Sequence, residues 1–187
     1  MTPLREKILS TASNLFQTQG INSTGVDTIV AVAGTTKMTL YKYFRSKEIL
    51  ILEVLEKGHQ DFQTWLSDKL NANTKKPSEK LQKLFEFIEE WVTSPSFQGM
   101  GFIKASAEFP NEASPVHQLS SEQSRQFRQY ISSLASEANI QDADGLALQL
   151  SLIFEGAVQA EQMKRGSGAM KYAKKAAKIL IDSAITN

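Results

Sequence analysis

Residues 35–44 read "TTKMTLYKYF". Ten residues suit a short helix, but only Leu40 and Phe44 sit four apart, as one apolar helical face requires. Thr35, Thr36, Lys37, Thr39, Tyr41, Lys42 and Tyr43 then crowd the remaining surface with hydroxyls and cations. The stretch is preceded by "GVDTIVAVAG", residues 25–34, a short apolar helix closed by Gly34. Glycine there permits the left-handed backbone of a tight turn. Two short helices joined by "AGTT" form a helix-turn-helix pattern, whose second helix is available for a major groove. Leu40 and Phe44 pack inward against Ile29, Val32 or Ala33. Lys37 and Lys42 suit phosphates or guanine. Thr36 and Thr39 are short enough to let a helix approach base edges. Tyr41 and Tyr43 each carry a hydroxyl that reaches a phosphate oxygen, and Lys47, opening the next helix, adds a cation beside free backbone amides.

Working outward, helical spacing continues in both directions. Leu4, Ile8, Ala12, Leu15 and Phe16 mark one face of a first helix, ended by Gly20. Ser46 and Glu48 suit the start of a long helix to about Leu70, the serine oxygen accepting free amides and the glutamate matching the dipole. Further apolar stripes follow: Leu81, Leu84, Phe85, Ile88 and Trp91; a short piece stopped by Pro110; Val116 to Leu134; Leu146 to Val158; and Met170 to Ala184. Polar, proline-bearing breaks separate them. The pattern predicts about nine helices and no sheet: an all-α chain with a three-helix reading head at 1–46 and a helical bundle at 47–187.

Charge follows the same division. Six cations and only two acids occur through Lys47, an excess of four against a whole-chain charge of +1, so the remainder is net acidic. A basic head on an acidic body points to an anionic partner for the head. The 187 residues are 41% hydrophobic, enough to build a core, and contain no cysteine, which excludes disulfides, thiolate metal sites and cysteine nucleophiles. The N-terminus lacks a signal-peptide block, no run is long enough for a membrane span, and a reducing cytoplasm is expected. Glu56 and His59 make one Glu-x-x-His, but a di-iron bundle needs two. No nucleophile elbow, phosphate loop or zinc spacing occurs, so neither enzyme, metal nor cofactor is expected.

The stretch from Phe16 to Leu50 closely resembles the N-terminal region of the TetR family of bacterial transcriptional repressors. Phe16, Gly20, Ile29, Ala33, Gly34, Leu40, Tyr41, Phe44, Ser46, Lys47 and Glu48 carry the resemblance. It implies a dimer whose third helices enter the major groove of a near-palindromic operator. It places Thr35, Thr36, Lys37, Met38, Thr39, Tyr41, Lys42 and Tyr43 at the DNA and Lys47 on phosphate, with backbone contacts from Thr24, Gly25 and Thr28. Two positions depart from the family pattern: Met38 stands where many relatives have glycine, and Gly25 where a threonine cap is common.

For the body the residues must argue. Phe62, Trp65, Phe85, Trp91, Met100, Phe102, Glu108, His117 and Phe127 are the candidates for a cavity that takes a small, largely apolar effector. Phe85 and Phe87 cannot share one narrow helix face, which favours a cavity over a simple core. Small residues among apolar ones at Leu146, Leu150, Phe154, Ala157, Ala173, Ala177, Leu180 and Ile181 allow close helix packing, and the resemblance implies that these helices form the homodimer interface. The expected function is a ligand-responsive repressor. The rival is a helical small-molecule-binding protein without specific DNA function.

Overall fold

The computed structural model describes residues 2–95, 97 and 99–186. Among them lie nine α-helices and no strand: α1 (Pro3–Gln19), α2 (Val26–Ala33), α3 (Lys37–Phe44), α4 (Lys47–Asn73), α5 (Pro77–Thr93), α6 (Gly101–Glu108), α7 (Pro115–Glu137), α8 (Ala143–Met163) and α9 (Ala169–Thr186). Each boundary has a local cause. Pro3 opens α1, where its missing N–H is no loss. Gly20, at φ 92°, closes it by donating to the Phe16 carbonyl. Gly34 closes α2 in the left-handed region at φ 66°. The Ser46 hydroxyl accepts from the Ile49 amide at 3.1 Å, capping α4 as the sequence predicts. That helix passes Leu70 and ends at Asn73, since "SDKLNAN" contains no breaker before the lysines and Pro77.

The chain forms two compact units, Met1–Gln60 with Gly101–Ser121, and Asp61–Met100 with Glu122–Asn187. In the first unit, Ile8, Ala12, Phe16, Ile29, Ala33, Leu40, Phe44 and Leu50 share one core with Ala105 and Val116. Leu40 and Phe44 are fully buried, each contributing ~1.5–3 kcal/mol of transfer free energy. In the second unit, α9 packs along α8 and α5.

The second unit's core absorbs residues to which the sequence gives other work. Leu150, Phe154, Ala177 and Ile181 are at most 1% exposed, and Leu146, Ala157 and Ala173 are also buried. Leu180 alone of that set is half-buried. These side chains are thus buried within a single chain, because the faces of α8 and α9 they occupy are covered by the chain's own helices. Phe85 and Phe87 are both buried too. The Lys69 ammonium lies 5.1 Å from the centre of the Phe87 ring, so α4 covers the second aromatic side of α5. Two aromatic faces here reflect a helix enclosed on two sides.

Candidate nucleic-acid interface and aromatic cleft

The two anchors Leu40 and Phe44 fix which way α3 faces. With them buried, Met38 and Lys42 fall on the opposite side and Tyr41 beside it, while Lys37 follows the anchors' own stripe at the helix start; all four are exposed, Met38 at 81%. The helix is pinned at its start by Thr36, whose hydroxyl accepts from the Thr39 amide at 3.2 Å and lies 3.0 Å from the Thr39 hydroxyl. Thr36 is therefore the N-cap of α3, a role its place in the polar cluster hides, and Thr39 is half-buried beside it. Tyr43 is partly buried against the core, its ring edge-on to Phe44 at 6.4 Å. Thr35 is half-buried and its amide donates to the Val30 carbonyl.

Around α2, Gly25 and Thr28 are exposed, whereas Thr24 is fully buried and donates its hydroxyl to the Gly20 carbonyl at 2.6 Å. The Thr24 side chain thus secures the α1–α2 turn from within. Lys47 behaves similarly. Its ammonium donates to the Ile21 carbonyl at 2.8 Å, and burial pulls its pKa below the usual lysine value, with nearby Glu108 opposing. Lys37 instead pairs with Asp27 of α2 at 2.8 Å, and that hydrogen bond, followed by the charge attraction, raises its pKa.

Glu108 has a different place from the one its sequence context suggests. Its carboxylate accepts the Ile21 amide at 3.0 Å and the Asn22 amide at 2.7 Å. Beside it Lys104 donates to the Gln17 carbonyl. Helix α6 therefore holds the α1–α2 turn of the reading head, all within the first unit. His117, also in that unit, has Nδ1 2.8 Å from the Phe109 carbonyl, and Phe102 lies edge-on to His59 at 6.5 Å. Phe102, Glu108 and His117 all belong to the first unit. No sequence period marks such a role: a polar side chain that caps a turn more than eighty residues away leaves no local pattern.

The remaining aromatics do converge. Phe62 is the hub, 4.6 Å from Trp91, 6.1 Å from Trp65, 6.0 Å from Phe127 and 6.2 Å from Phe154. Phe85 and Met100 are buried in the same unit. Against this group a cleft of about 390 Å³ opens between α4 and α7. Phe62, Leu66, Phe127 and Tyr130 form its apolar wall, and Gln63, Thr64, Ser67 and Asp68 its polar rim. Burial raises the pKa of Tyr130, opposed by a hydrogen bond with Ser67, so its phenol stays protonated as a donor at neutral pH. Leu66 and the four rim residues line the cleft without belonging to any aromatic pattern, and Tyr130 joins Phe62 and Phe127 on its wall.

Comparison with known proteins agrees with this geometry. Residues 8–54 match the family "Bacterial regulatory proteins, tetR family". The HTH-type transcriptional regulator YjdC of Escherichia coli is 24% identical over 152 residues, covering 81% of this chain and 80% of YjdC. The HTH-type transcriptional repressor DhaR of a Mycobacterium species is 30% identical over 89 residues, covering 48% of this chain and 45% of DhaR. The crystal structure of a TetR-family transcriptional regulator from Streptomyces coelicolor superposes with a TM-score of 0.91 at 24% identity, over 97% of this chain and 96% of that one. The reading head, residues 8–54, thus carries the helix-turn-helix of the tetR family of bacterial regulatory proteins, and the chain shares the fold of a TetR-family transcriptional regulator along its length.

Proposed function

We propose that this transcriptional regulator is a cytoplasmic, non-enzymatic repressor that binds a near-palindromic operator as a homodimer and leaves it when a small, largely apolar effector binds. The observation that carries the reading is α3: a helix anchored by Leu40 and Phe44 that exposes Lys37, Met38, Tyr41 and Lys42. Short residues near its N-terminus and two lysines along its length are what a helix seated in a major groove requires. The repressor named among the relatives supports the direction of control. We assign residues 1–46 to DNA reading and 47–187 to effector binding and dimerisation.

The effector site we favour is the cleft beside Phe62 and Phe127. Its apolar wall supplies burial, while the Tyr130 phenol and the Asp68 carboxylate orient polar groups. An effector acts by binding one spacing of the two reading heads better than the other, and its differential affinity limits the shift. Helix α4, which supplies residues to both compact units, is the lever in this scheme.

A gel shift with the DNA upstream of the protein's own gene tests the core of the reading. A discrete complex that outcompetes random DNA at moderate salt is the expected result. No preference for any segment of that DNA would sink it.

A further inference from the structure

The cations of the reading head have different surroundings. Arg5 pairs with Glu53 and lies 4.8 Å from the centre of the Phe44 ring. Lys47 donates inward to Ile21. Lys42 and Arg45 are exposed. Lys37 is exposed at the first residue of α3 and lies 2.8 Å from Asp27, whose own side chain is 80% exposed. The pair joins the first residue of α3 to the second residue of α2.

An exposed ion pair adds little stability. Its effect on what Lys37 can reach is larger. A lysine ammonium has three donors on a flexible stem. Asp27 takes one donor and restrains the stem at the N-terminal turn of α3, leaving two donors directed elsewhere. The N-terminal residues of a reading helix are the ones that meet base edges. A lysine meant for phosphate gains nothing from a carboxylate partner, since phosphates repel that carboxylate and the carboxylate already neutralises the lysine.

We propose that Asp27 is a positioning residue that commits Lys37 to a base edge, with the O6 and N7 acceptors of guanine as its target, and withholds it from phosphate. The proposal rests on the reading of α3 as the DNA-contacting helix. It adds a division of labour among the cations that the helix-turn-helix pattern leaves open. Asp27 also acts against wrong sequences: where no guanine offers acceptors, the carboxylate faces the duplex with nothing gained in return.

The test uses the full chain and two probes, a random-sequence duplex and the best duplex that the wild-type chain selects from a random pool. Binding is measured against salt. Each phosphate neutralised steepens the logarithmic salt dependence by ~0.9. Lys37→Met should leave the slope on random DNA unchanged and erase the preference at one base pair of the selected site. Asp27→Asn should release Lys37 to phosphate, steepen the slope by ~0.9 per chain, and lower the selected-over-random ratio about tenfold, the scale of one good base contact. In a Lys37→Met background, Asp27→Asn should no longer steepen the slope. The inference is overturned if Lys37→Met flattens the random-DNA slope, or if Asp27→Asn changes neither slope nor ratio while the wild-type chain discriminates normally. A wild-type chain that binds both duplexes alike would overturn the assignment of α3 itself, and this inference with it.

Discussion

Thr36 and Glu161 show how much a single polar group can decide. The Thr36 hydroxyl satisfies a free amide at the start of α3. Thr36→Ala should cost ~1 kcal/mol, the usual worth of an N-cap. Serine at 36 should restore it, and chemical denaturation of the three chains measures both. Glu161 in α8 is buried, yet its carboxylate accepts from the Gly166 amide at 2.9 Å, the Ser167 hydroxyl at 2.6 Å and the Ala169 amide at 3.1 Å. Burial pushes its pKa up, and the hydroxyl and amide donors together outweigh it, leaving the pKa below the usual value. A depressed carboxylate stabilises the fold above its unfolded pKa of ~4.3 and loses that contribution as pH falls through the folded value. Glu161→Gln should therefore cost ~2 kcal/mol at neutral pH, the range of a hydrogen bond to a charged group, and less under acid. Melting curves at pH 7 and in the acid range would show the gap closing; a gap of constant size would mean the charge does no work there. Neither role is legible in the sequence. Thr36 sits among six other polar residues, and Glu161 lies in an apolar helix whose loop partners come after it.

At the scale of elements, helices were legible because periodicity survives without neighbours: Leu40 and Phe44, or Leu81, Leu84, Phe85 and Ile88, state which face is inside. What a polar residue does on the other face depends on a second element, and here the sequence is silent. The α1–α2 turn is tied to α6 by Glu108 and Lys104 and to α4 by Lys47. Glu108→Gln should cost ~1–3 kcal/mol, since two amides lose a charged acceptor, and hydrogen exchange at Ile21 and Asn22 should speed up before that of the α8 amides. Unchanged exchange at those two amides would contradict the clamp. Lys47→Met should lower the melting temperature yet leave the salt slope of DNA binding intact, because the ammonium faces a carbonyl of its own chain. A slope reduced by ~0.9 per chain would return Lys47 to phosphate.

At the scale of the molecule, the proposed homodimer needs a face on which one chain can meet another. Apolar residues lie on two sides of α8, and a pattern cannot tell which side the chain covers for itself. Folding answers for one side: Leu146, Leu150 and Phe154 are buried, while Leu148 and Leu152 remain 44% and 62% exposed. Helix α9 repeats the arrangement, with Ala173, Ala177 and Ile181 inside and Tyr172 and Ile179 exposed at 69% and 68%. The spacing from Leu148 to Leu152, and from Tyr172 to Ile179, keeps each pair on one helical face. Each of the two helices thus leaves an apolar stripe exposed, which water disfavours. A two-fold partner offering the same surface would cover it, since a symmetric interface is self-complementary. Leu152→Glu combined with Ile179→Glu should yield a folded monomer, because neither side chain contributes to the protomer core. Sedimentation should report half the wild-type mass with unchanged helicity. Operator affinity should fall steeply, because a lone reading head meets only one half-site. Leu150→Ala should behave in the opposite way, costing ~2–5 kcal/mol of stability while the folded fraction still dimerises. If the double glutamate chain stays dimeric, the interface lies elsewhere and the exposed stripe must be covered by something other than its own copy.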